Sequence, residues 1–156
     1  MNLADLAARL IMINIPGPEL GPECVQHLSS HRWGGVLLFA HNLQDRPKLV
    51  KLMEQMEELC DPIVAIDQEG GLVDRVRFPD SVLTPGLMAL GAAGDPELTR
   101  EAHEIMGRQL HELGFHVDFA PCVDINTNPD NPIIGVRSFG EDPEEVSRQG
   151  QAACVG

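Results

Sequence analysis

The chain has 156 residues, enough for one domain with a substantial core and too few for two. Apolar residues make up 43% and charged residues 22%, the balance of a folded chain rather than a disordered one. Lys plus Arg number 11 against 24 Asp plus Glu, a net charge of −13, and no basic run occurs. That argues against nucleic acid and anionic membrane surfaces as partners, because both are recruited by clustered Lys and Arg.

No stretch approaches the roughly 20 consecutive apolar residues that span a bilayer. The start, Met1-Asn2-Leu3-Ala4-Asp5, lacks a basic segment leading into an apolar one, so no secretory signal is expected and the expected compartment is the cytoplasm. Cys24, Cys60, Cys122 and Cys154 are widely separated and form no CxxC, which points to small buried hydrophobes rather than a disulfide framework or a zinc cluster.

In chain order, Leu10–Ile15 is an apolar run closed by Pro16-Gly17-Pro18, and it predicts a first strand. A short helix is expected over Pro22–Ser30, turning Val25 and Leu28 inward. Gly34-Gly35 opens Val36–Ala40, a continuous apolar run of the kind seen in parallel strands covered on both faces. From Pro47 the period changes: Leu49, Leu52, Met53, Met56 and Leu59 mark one face of a helix that Asp61-Pro62 ends. Ile63–Ile66 predicts the third strand.

A long Gly-containing loop follows. Asp95-Pro96-Glu97 then supplies a cap, a first-turn proline and an acidic first turn. Leu98, Ala102, Ile105, Met106 and Leu113 predict the inner face of that helix, and Gly114 its C-terminal cap. Phe115–Cys122 predicts strand four, and Asp142-Pro143-Glu144-Glu145 repeats the helix-start chemistry.

Strands alternating with helices mean a parallel sheet with crossover helices. Two architectures fit: an open doubly wound sheet, which the short chain favours, or part of a (β/α)8 barrel, which takes about 250 residues when closed. In both, ligands gather at the C-terminal ends of the strands. The groups expected there are His41-Asn42, Asp67-Gln68-Glu69-Gly70-Gly71, and Asp124 with the loop through Arg137. Two of these connections are long, roughly 25 and 20 residues, and compact domains keep such loops mainly for function.

Asp67 and Glu69 stand two apart and would share a face on a continuing strand, as the paired carboxylates of glycoside hydrolysis require. Alternatively Gly70-Gly71 bends the chain and sends Glu69 to a helix start or an arginine. Asp67 is then a binding group, since a carboxylate accepts paired hydrogen bonds from vicinal sugar hydroxyls. Arg75, Arg77 and Arg137 either pin loops through salt bridges or present planar forks to substrate oxygens.

Other chemistries lack their parts. Asp124–Asn128 begins like a calcium loop, but Pro129 stands where the turn glycine belongs and Gly135 where the last Glu belongs. His27 and His31 are four apart without a third metal ligand. There is no GxGxxG, no Walker lysine and no G-x-S-x-G elbow.

Three ordered segments do carry a resemblance. They are Ile66-Asp67-Gln68-Glu69-Gly70-Gly71 with Arg75 after three further residues, Phe119–Asp124, and Ile134–Pro143, with Gly34–Asn42 ahead of them. From about residue 10 onward the chain resembles glycoside hydrolase family 3, and within it the bacterial single-domain β-N-acetylglucosaminidases.

The resemblance implies an α/β fold, the first half of a (β/α)8 TIM barrel of about four βα units, with residues 1–156 as the N-terminal portion of one catalytic domain. It implies hydrolysis of terminal β-linked sugars with retention, through a covalent glycosyl-enzyme, without metal or organic cofactor. Asp67, Arg75 and Arg137 match substrate-binding positions, whereas Glu69, Gly70, Gly71 and Asp124 match supports of the pocket. The family's Lys-His and acid/base histidine segment and its nucleophilic aspartate in a Ser-Asp segment have no counterpart here, so no catalytic residue is expected in this chain. The expected partners are a small carbohydrate and either the remainder of the barrel or an oligomeric companion. Leu72 departs from the arginine usual after Gln-Glu-Gly-Gly.

Overall fold

A computed structural model describes residues 2–156. The chain divides into two compact units, one formed by the chain up to Ile66 together with Leu110–Asp118, the other by Asp67–Gln109 and Phe119–Gly156.

The first unit holds a four-stranded parallel sheet: β1 (Met12–Ile13), β2 (Gly35–Leu38), β3 (Ile63–Ile66) and β4 (Val117–Asp118), side by side in that order. The order never reverses. A doubly wound sheet needs a reversal at its switch point, and successive barrel strands do not. Pairing runs Met12 with Gly35, Val36 with Val64, and Ala65 with Val117. Beside the ladder, the Val64 amide donates to Nδ1 of His116 at 3.0 Å, which places that ring's proton on Nε2.

Three helices of this unit are α1 (Leu3–Ala8), α2 (Pro22–Ser30) and α3 (Arg46–Cys60). α1 starts in a capping box between Asn2 and Asp5. α3 is capped by Asp45, whose Oδ1 accepts the Lys48 amide at 2.8 Å, and it buries Leu49, Leu52, Met56 and Cys60. It ends at Asp61 in the left-handed region (φ 49°), with Pro62 barring continuation. Asn42, fully buried after β2, donates to the Ile15 and Gly17 carbonyls at 3.0 and 2.9 Å and accepts the Phe39 amide at 2.8 Å. One amide thereby ties the chain leaving β1 to the turn leaving β2.

The second unit packs α4 (Leu87–Ala93), most of α5 (Pro96–Glu112) and α6 (Pro143–Val155). Its apolar core joins Leu87, Leu90, Ala102, Phe139, Val146 and Ala153. A buried hydrogen bond crosses from α5 to α6, Thr99 Oγ1 to Gln149 Oε1 at 2.5 Å, and Gln149 Nε2 donates on to Glu145 at 2.7 Å.

Several sequence expectations change. Strand one is Met12–Ile13 rather than Leu10–Ile15, with Leu10 89% exposed. Strand four stops at Asp118 rather than Cys122. Both strands have a single ladder neighbour, and Pro16 and Pro121 offer no N–H to extend them. On α5, Leu98 and Ile105 lie exposed, while Thr99, Ala102, His103, Met106 and Leu110 are buried, as is Leu113 just beyond its end. Ala102, Met106 and Leu113 are buried as expected; at the helix start Thr99 replaces Leu98 on the inner face because Thr99 and Gln149 satisfy each other. The long connection after β3 is not structureless, since it contains α4, and α1 was not foreseen. No helix among the described residues is long and apolar enough to cross a membrane.

Candidate functional site

Asp67, Glu69, Gly70, Gly71, Arg75, Asp124 and Arg137 all fall in the second unit, whereas His41 and Asn42 fall in the first. Immediately after Ile66 the chain forms a tight hairpin. The Glu69 amide donates to the Val73 carbonyl at 2.8 Å, and Gly70 pairs antiparallel with Val73. Gly70 and Gly71 both have positive φ (82° and 59°), and a Cβ on either would press on Thr84, Pro85 or Gly86 at 2.5–2.7 Å. The Gly71 amide meanwhile donates to the Thr84 carbonyl at 3.1 Å. Glycine is therefore required on both counts, backbone angle and space.

The turn reverses the chain so that Arg75 returns beside Asp67. Arg75 Nη2 lies 3.7 Å from Asp67 Oδ2, and each side chain is 28% exposed. At that distance opposite charges attract but no hydrogen bond forms. The Asp67 carboxylate makes no hydrogen bond among the described residues, and the buried Arg75 Nε has no partner. Donors and acceptors thus stand together with their hydrogen-bonding capacity open. A polyhydroxylated ligand fits such a pair, because each hydroxyl can donate to the carboxylate and accept from the guanidinium.

Glu69 takes the other route weighed from sequence. Its nearly buried carboxylate receives Arg137 Nε at 2.8 Å and Nη2 at 2.5 Å, a bidentate pair. Arg137 Nη1 also donates to the Ile133 carbonyl at 3.3 Å, closing the 3-10 turn Gly135–Arg137. The Glu69 carboxylate holds the Arg137 guanidinium above its ordinary pKa. Both Glu69 oxygens are engaged, so Asp67 and Glu69 are not a matched pair of free carboxylates.

Asp124 is exposed and accepts the Cys122 thiol at 3.3 Å, while its carbonyl accepts Ser138 Oγ at 2.6 Å. Burial pushes the Cys122 thiol pKa up, so this cysteine is held as a neutral donor. Arg77 pins the hairpin by donating to the Asp74 and Gly71 carbonyls at 3.1 and 3.2 Å. Leu72 points outward, 72% exposed. Among the described residues no group of three or more His, Cys, Asp or Glu is placed to hold a metal ion. In the first unit, His31 sits 3.0 Å from Asp5 and His27 stacks on Trp33.

Sequence reasoning missed Gln68 and Asp74. Gln68 is buried between the hairpin arms and bonds Asp74 and the Arg75 amide. Its only signal in the sequence is position, a polar residue between two carboxylates directly after a strand.

A parallel sheet in unreversed order is that of a barrel-type α/β protein. Comparison with known proteins narrows this. The Glycosyl hydrolase family 3 N terminal domain matches residues 3–156, and the chain belongs to that family.

Beta-hexosaminidase A of Pseudoalteromonas piscicida is 38% identical over 144 residues, covering 85% of this chain and 24% of that protein. The beta-hexosaminidase of Thiobacillus denitrificans is 32% identical over 154 residues, covering 94% of this chain and 42% of that protein. The structure of a family 3 beta-N-acetylglucosaminidase from Paenibacillus sp. str. FPU-7 superposes with a TM-score of 0.92 at 38% identity, over 98% of this chain and 30% of that one. The chain therefore spans less than half the length of these relatives. Its fold is α/β, the first four βα units of a (β/α)8 barrel.

Proposed function

We propose that these residues are the N-terminal portion of a family 3 catalytic barrel that hydrolyses terminal non-reducing β-N-acetylglucosaminides with retention. Asp67, Arg75 and Arg137 contribute to substrate binding, and Glu69, Gly70, Gly71 and Asp124 shape the pocket. The observation that carries this reading is the Asp67–Arg75 pair, 3.7 Å apart with a buried, unpartnered Nε beside it. A buried N–H left without an acceptor is costly unless a ligand or water completes it. A pyranose ring carrying vicinal hydroxyls completes that N–H and the Asp67 carboxylate at once.

Glu69 holds Arg137 in place. Three of the arginine's five N–H bonds go to Glu69 and Ile133, which leaves two for a ligand oxygen. The reacting groups are proposed to lie outside these 156 residues. In the proposed reaction a distal aspartate attacks the anomeric carbon, and a histidine protonates the leaving oxygen and then activates water. The proposed setting is the cytoplasm, on short N-acetylglucosamine-containing oligosaccharides such as those of bacterial cell-wall recycling. β1 and β4 each have one strand neighbour, so the rest of a barrel or a companion chain is proposed to cover their outer edges.

A chromogenic β-N-acetylglucosaminide tests the reaction. The 156-residue chain alone gives no turnover, and mixing it with the complementary C-terminal half-barrel of a relative restores hydrolysis that favours this sugar over the β-glucoside. A restored enzyme that prefers the glucoside contradicts the proposed substrate.

A further inference from the structure

We infer that Gln68 is the positioning residue that aims Arg75 at its ligand. This deepens the sugar-binding reading and rests on it. Gln68 is 1% exposed, and its amide is used at both ends. Oε1 accepts the amides of Arg75 at 2.6 Å and Val76 at 3.2 Å, while Nε2 donates to Asp74 Oδ1 at 2.6 Å. That pattern fixes which end is oxygen, because a reversed amide would meet two donors with its NH2 and a carboxylate with its carbonyl.

The Arg75 guanidinium has little to hold it at its own end. Among the described residues its one charged contact is Asp67 at 3.7 Å, and its buried Nε is unpartnered. Arg77, two residues on, is tied down by two backbone carbonyls instead. The direction of Arg75 is therefore set where its backbone is set, at the Gln68 carbonyl oxygen. Asp74 completes the device by holding the far end of the same amide. Glutamine is needed rather than glutamate, since a carboxylate at 68 would face the Asp74 carboxylate at hydrogen-bonding distance.

A donor–acceptor exchange tests this on the 156-residue chain. Gln68→Glu sets two carboxylates against each other. Adding Asp74→Asn restores one hydrogen bond in the opposite sense, from the Asn amide to the Glu carboxylate, with both backbone acceptances kept. Two readouts are followed by NMR: the Arg75 Nε–Hε resonance without ligand, and the Kd for N-acetylglucosamine.

Gln68→Glu should displace the Arg75 resonance and weaken the sugar about tenfold, and the double variant should return the resonance and most of the affinity. A folded Gln68→Glu whose Arg75 resonance is unmoved overturns the inference. If Gln68→Glu does not fold, the double variant decides: a restored fold with the wild-type resonance supports the exchange, and no restoration overturns it. Wild-type protein that ignores the sugar defeats the binding reading alone, because the unliganded resonance still judges Gln68.

Discussion

Arg137 and Glu69, 68 positions apart in sequence, meet in two parallel N–H···O bonds of 2.8 and 2.5 Å. Glu69 is the buried member, its side chain only 5% exposed. Removing the guanidinium leaves a buried carboxylate without its charge partner. Arg137→Ala should cost about 3 kcal/mol, measured by urea unfolding at pH 7, and adding Glu69→Gln should recover most of it. Equal losses in the single and double variants would mean that the uncompensated charge is not the cause.

Two helical glycines should respond oppositely to alanine. A Cβ on Gly91 in α4 would lie 1.7 Å from the Phe139 carbonyl oxygen, whereas one on Gly107 in α5 meets nothing within 4 Å. Gly91→Ala should destabilise by about 2 kcal/mol through forced separation of the two backbones. Gly107→Ala should stabilise by about 0.5–1 kcal/mol, because alanine loses less backbone freedom in a helix. Melting temperatures that shift in the same direction would contradict the packing of α4 on Phe139.

His103 gives the fold a pH dependence. Burial lowers its pKa, against a smaller opposing effect of its 2.9 Å hydrogen bond to the Thr99 carbonyl. The carbonyl can only accept, so Nδ1 carries the proton, and among the described residues the buried Nε2 has no partner. In the unfolded chain the imidazole titrates near about 6.5. Below that pH the unfolded state binds a proton that the folded state resists, so stability falls as pH drops from about 7 to 5. His103→Gln should flatten that slope in a series of unfolding curves. An unchanged slope would assign the dependence to other groups.

The sequence made some of this legible and hid the rest for identifiable reasons. The alternation of elements was readable because β2, β3 and α3 keep uniform periods over four to fifteen residues. α4 was not, because its seven residues are too short for a period to show and contain a glycine. The inner face of α5 was legible at Ala102 and Met106 but not at Thr99, which is polar in sequence and buried in fact, its hydroxyl satisfied by a glutamine 50 positions away. Strand order could not come from periodicity, so the choice between open sheet and barrel rested on motif resemblance.

At the site, the two glycines announced a reversal, and the reversal explains why Asp67 faces Arg75. The pairing of Glu69 with Arg137 was one of two outcomes the residues allowed. Gln68 escaped notice because nothing in a one-dimensional pattern distinguishes an amide that organises a loop from one that faces water.

Whether Asp67 and Arg75 together hold a sugar is decided by an NMR titration of the 156-residue chain with N-acetylglucosamine. The account predicts saturable shifts centred on Asp67 and the Arg75 Nε–Hε group, with a Kd on the order of 1 mM, about −4 kcal/mol. Asp67→Asn should keep the wild-type melting temperature and abolish those shifts. Shifts that persist undiminished in Asp67→Asn, or that cluster away from the hairpin, would contradict the account.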